Sequence, residues 1–154
     1  MSNNLVMHLE KLHFEIDIKA HPKQIWNALW DPNNYSTWCH AFCEGTYYES
    51  DFNLGSRIHF IAPNGEGMYA DIVEKIENEY IAFCHIGELK NYEEQPLDEH
   101  SLLWTEAEES YRIIPKNTFC TLLVTIDTLE QYIDYFVEHF PRGLEIVKKI
   151  AERA

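Results

Sequence analysis

The segment from Glu130 to Arg153 constrains the fold more than any other part of the chain. Tyr132, Phe136, His139, Phe140, Gly143, Val147 and Ile150 recur at spacings of three and four, the repeat of one face of an α-helix. Pro141 stands inside that stripe, and a proline normally ends a helix. A helix that stopped there would have no reason to keep its phase on the far side. The segment is therefore predicted as one helix of about 22 residues, kinked near His139–Pro141. Gly143 falls on the buried stripe without a side chain to bury, which leaves two readings. Either a neighbouring aromatic packs onto it, or space remains beneath the helix.

An amphipathic helix of that length needs an apolar surface to lie on, and the rest of the chain reads as a sheet. From Leu9 to Lys19, Leu12, Phe14, Ile16 and Ile18 alternate with His13, Glu15, Asp17 and Lys19, so one face is buried and one is wet. Pro22 suits the first turn of a helix whose apolar face is Ile25, Trp26 and Leu29. Asp31-Pro32 then starts a second short helix carrying Tyr35 and Trp38. Strands are predicted over Thr46–Ser50, Arg57–Ala62, Gly67–Ile76, Tyr80–Gly87, Leu102–Ile114 and Thr118–Thr128. Asn64-Gly65 is a strong type I′ hairpin signal, and Glu88–His100 reads as a loop.

Bulk properties narrow the class. The 154 residues fit a single domain, and 45% hydrophobic with 14% aromatic residues is too apolar for disorder. No apolar run approaches a membrane span, and Met1–Lys11 lacks the pattern of a secretory signal. With four cysteines in no framework spacing (Cys39, Cys43, Cys84 and Cys120), these features point to the cytoplasm. The 12 Lys plus Arg against 26 Asp plus Glu give a net charge of -14, which repels phosphate. Nucleic acid and anionic membranes are therefore excluded as partners.

The order of elements, and certain local residues, resemble a known family. Ile25-Trp26-Asn27-Ala28-Leu29-Trp30-Asp31-Pro32 with Trp38, Gly55, Gly65-Glu66-Gly67, Tyr111, Thr118–Leu122, Phe140-Pro141-Arg142-Gly143-Leu144 and Ile150-Ala151-Glu152 together resemble the Bet v 1-like, START-like (SRPBCC) superfamily. They look closest to its branch named after the activator of Hsp90 ATPase (AHSA1-like). The resemblance covers nearly the whole chain. It implies an α+β helix-grip fold: a seven-stranded curved antiparallel sheet around the C-terminal helix, with an apolar cavity between them.

Alternation and helical phase nominate the lining of such a cavity. Phe60, Met68, Phe83, Leu122, Val124, Tyr132, Phe136 and Phe140 are the apolar candidates, with Gly143 as the gap. Counting back from Ile113 and Tyr111 puts Glu109 and Ala107 on the inner face. Counting along Ile81 and Phe83 puts His85 there, and His139 lies on the helical stripe. Glu109, His85, His139 and Tyr111 either meet inside the cavity, where they would orient a polar head group, or sit at a solvated rim. No metal site is expected, since Cys39 and Cys43 lack a second pair of ligands. No cofactor-binding loop or nucleophile motif is present.

The leading expectation is a carrier of a small hydrophobic molecule. A cavity enzyme of cyclase or hydrolase type, using Glu109 and His85 for acid–base chemistry, is the alternative. A third is docking on an Hsp90-type chaperone. The lack of the separate N-terminal module found in eukaryotic co-chaperones argues against it.

Overall fold

The computed structural model describes residues 9–154. Residues 1–8, on which the reading of the N-terminus largely rests, lie outside the described residues. The elements run β1 (Glu10–Ile18), α1 (Pro22–Trp30), α2 (Pro32–Cys39), β2 (Tyr47–Glu49), β3 (Arg57–Ile61), β4 (Gly67–Ile76), β5 (Tyr80–Lys90), β6 (Glu93–Glu94), β7 (Glu108–Pro115), β8 (Cys120–Thr128) and α3 (Ile133–Arg153). One antiparallel sheet has the order β1-β8-β7-β5-β4-β3-β2, and β6 pairs with the end of β5. This is an α+β helix-grip fold.

Local chemistry explains each boundary. In β1, His13, Glu15 and Asp17 face water while Ile18 is fully buried. At the start of α1 the Gln24 side chain reaches back to accept the His21 backbone N–H at 2.8 Å. The Asp31 carboxylate caps α2 by accepting from the N–H groups of Asn33 and Asn34. Trp38 Nε1 then donates to the Leu29 carbonyl at 2.9 Å, which fixes α2 against α1.

The closing helix runs unbroken through Pro141, after a single 3-10 turn at Glu130–Tyr132. Proline there removes the N–H that would bond the Val137 carbonyl. Val137 and Pro141 both lie on the exposed side, where water can take that carbonyl. Phe140, Gly143, Leu144, Val147 and Ala151 form the buried stripe.

The strand pattern differs from expectation in three places. The sheet has an eighth strand, because the supposed loop after Gly87 continues β5 to Lys90 and folds back as β6. Asn91 and Tyr92 both take positive φ there, the geometry of a two-residue hairpin turn that a sequence without Asn-Gly does not advertise. Arg57 and His59 on β3 hold Glu94 of β6 at 2.8 and 2.7 Å. Residues 102–107 are not strand: Ser101–Leu103 is a 3-10 turn, and β7 begins only at Glu108. In the β3–β4 hairpin, Gly65 alone of the Asn64-Gly65 pair takes positive φ. Pro63 sets the turn one residue earlier, and the Gly65 N–H donates to the Ala62 carbonyl at 2.9 Å.

Gly143 resolves in favour of close packing. A Cβ on it would lie 3.2 Å from both Phe42 Cε2 and Trp38 Cε3, so no gap lies beneath the helix at this point. Gly143→Ala should change stability by less than about 1 kcal/mol, because its gain in helix propensity offsets the tight contact. Gly143→Val should cost roughly 1–3 kcal/mol through overpacking. Chemical denaturation of the two variants tests this, and a neutral valine would refute the close-packed assignment.

Candidate functional site

The helix α3 packs chiefly on β1, α1 and α2. Between α3 and the strands on the other side of the sheet lies an open cavity of about 400 Å³. Aromatic rings supply much of its wall: Tyr35 and Trp38 from α2, Phe60 from β3, Trp104 before β7, and Phe136 and Phe140 from α3. Tyr132 and Tyr135, 40% and 41% exposed, stand where it meets solvent.

One polar cluster sits in this wall. Glu109 pairs across the sheet with Phe83 and Ile126, and the phase of β7 brings Tyr111 to the same face. The backbone of His85 is held beside them by its N–H to the Ala107 carbonyl at 2.8 Å. Its ring Nε2 lies 2.8 Å from Glu109 Oε1, and the Tyr111 hydroxyl donates to Glu109 Oε2. A carboxylate partner places the His85 proton on Nε2. Nδ1 is buried without a partner, which in the neutral ring leaves it an unsatisfied acceptor facing no protein donor. Burial, then the charge of Glu109, holds the Tyr111 hydroxyl well above the ordinary phenol range. Tyr35 and Cys39 are pushed up in the same way, burial first and Glu109 among the further causes.

Not every nominated residue reaches the cavity. Phe60, Met68, His85, Glu109, Tyr111, Tyr132, Phe136 and Phe140 are in its wall. Phe83, Leu122 and Val124 do face inward but are fully buried in solid core. Trp30 covers Phe83, with ring centroids 5.4 Å apart. The helices occupy the space above that part of the sheet. Gly143 is likewise packed rather than open. His139 lies half-buried outside the wall: its Nδ1 donates to the Tyr135 carbonyl at 2.7 Å and its ring stacks on Phe42. It therefore does not join Glu109, although it shares the helical stripe.

Sequence reasoning missed Trp104, His100 and Glu88. His100 comes from a segment without periodicity, and Trp104 from one predicted as strand, whereas it ends a 3-10 turn ahead of β7. Glu88 turns inward because β5 carries a bulge: Ala70 pairs with His85 but Tyr69 with Gly87. The extra residue, Ile86, reverses the phase of everything after it. Of the cysteines, Cys39 is in the wall and Cys43 is exposed.

A curved sheet gripping one long helix, with two short helices after the first strand, is a helix-grip fold. Solved structures bear this out. The chain is similar to the Aha1 dimer from Colwellia psychrerythraea, with TM-score 0.66 and 19% identity over 93% of this chain and 96% of that one. Protein MLL2253 from Mesorhizobium loti superposes with TM-score 0.72 and 13% identity, covering 94% and 98% of the two chains. CalU16 from Micromonospora echinospora gives TM-score 0.63 and 14% identity, covering 93% and 76%. Such identities show the fold alone. No family model matches the sequence, and no curated protein matches it significantly.

Thiol reactivity gives a direct check on the wall. Only thiolate is alkylated, and burial pushes the Cys39 thiol up, whereas Cys43 is exposed. Iodoacetamide near neutral pH should label Cys43 at least about tenfold faster than Cys39, read by peptide mass spectrometry. Equal rates would contradict the burial of α2 against the cavity.

Proposed function

We propose that this chain binds a small, largely apolar molecule in the cavity beneath α3. The observation that carries this reading is the cavity itself: about 400 Å³, with an aromatic wall and one partly buried polar cluster, Glu109–His85–Tyr111. Ligand pockets are generally concave and apolar, with a few polar groups that fix orientation. An apolar body entering here would remove wall area from water at about 25 cal/mol per Å². The cluster would orient its polar end.

Denaturing extraction of the purified protein followed by mass spectrometry, and chemical-shift screening of apolar compounds, test this reading. A saturable ligand is expected whose shifts centre on Trp104, Tyr111 and Phe136. Glu109→Gln and Tyr111→Phe should each weaken it by about tenfold, while the unfolding midpoint moves by only a few degrees. Absence of any saturable ligand, or unchanged affinity in both variants, would overturn the proposal.

A second reading is a cavity enzyme of cyclase or hydrolase type, supported by the 2.8 Å contact between His85 and Glu109. In it Glu109 would take a proton from a bound substrate, and the His85 and Tyr111 donors it releases would stabilise the negative charge left on the substrate. Turnover that Glu109→Gln abolishes without loss of substrate binding would favour this reading over carriage.

A further inference from the structure

Three acidic residues contribute to the cavity wall: Glu88, Glu109 and, alternating in phase with the inward Ile126, Asp127. Among the described residues, no Lys or Arg side chain lines it. Asp127 is held by Lys11 at 2.7 Å. Glu88 has no ion-pair partner among the described residues. Glu109 is stabilised by hydrogen bonds from the uncharged Tyr111 hydroxyl and from His85. Carboxylates thus outnumber the two histidines of the wall, His85 and His100, within a chain whose net charge is -14.

The donors of the polar cluster that would receive an anion are already committed. Tyr111 O–H and His85 Nε2–H both point to Glu109, and turning either away would strip the carboxylate of a partner. A carboxylate ligand would also bring like charge close to Glu109, which is only partly exposed and so only partly screened by water. A cation meets the opposite conditions. It finds Glu88 without an ion-pair partner among the described residues and Glu109 without a Lys or Arg, and the rings of Tyr35, Trp104 and Phe136 in the wall can stabilise it further.

We infer that the molecule bound here is an organic cation, an apolar and preferably flat body carrying a protonated amine, rather than a fatty acid or other carboxylate. This rests on the proposal that the cavity is a binding site. It adds that Glu109 is the counter-ion that selects the ligand's charge.

Three probes sharing one ring system test it by isothermal titration: naphthylmethylamine, naphthylmethanol and naphthoate. The amine should bind at least about tenfold more tightly than naphthoate, with the alcohol between them. In Glu109→Gln the amine should lose most of this advantage while the alcohol changes by less than about threefold. Naphthoate binding as tightly as the amine would overturn the charge preference and leave the cavity standing as a binding site. An amine advantage that survives Glu109→Gln would overturn the role of Glu109. Failure of all three probes to saturate would overturn both the inference and the binding reading beneath it.

Discussion

The buried stripe of α3 meets the sheet at β1 and the two short helices beside it, and this contact sets the geometry of everything else. Phe140 stacks on Phe14 of β1 with ring centroids 5.0 Å apart, and Gly143 lets Trp38 and Phe42 approach the helix backbone closely. A helix anchored at one side of a concave sheet cannot also touch the strands at the other. The surface it leaves uncovered must be filled by large side chains or remain open. Here the aromatic side chains fill part of the space, and about 400 Å³ remains.

Tyr111 joins the solid part of the core to the open part. Its ring packs against Trp30, Trp38 and Phe83 at centroid distances of 4.9, 6.2 and 6.4 Å, while its hydroxyl turns to Glu109 at the cavity wall. The carboxylate gains two hydrogen bonds and retains partial exposure, 23% for its side chain. Full burial of a lone charge would cost far more than this arrangement does. The same partial exposure leaves Glu109 within reach of whatever enters the cavity.

Much of this was legible in the sequence, because the features concerned are periodic. The stripe from Tyr132 to Ile150 kept its phase across Pro141, and the helix is continuous. Period two along β5 and β7 placed His85, Glu109 and Tyr111 on one face, and they meet. Legibility ended where periodicity broke or where depth mattered. Glu88 faces inward only because the bulge at Ile86 shifts the register. Phe83, Leu122 and Val124 have the correct phase, but alternation cannot say whether a helix already lies above a given stretch of strand. His139 shows the same limit on a helix: its position on the stripe was right, yet its ring is taken by Phe42 and Tyr135.

The central claim is that the space beneath α3 is a preformed binding site bounded by Trp104, Tyr111 and Phe136. A crystal structure of the protein grown with naphthylmethanol tests it most directly. The account requires density for the naphthyl ring between α3 and the sheet, with its hydroxyl directed to the Glu109 cluster. A structure in which Phe60, Phe136 and Phe140 close together and fill that space, with no probe between them, would contradict it.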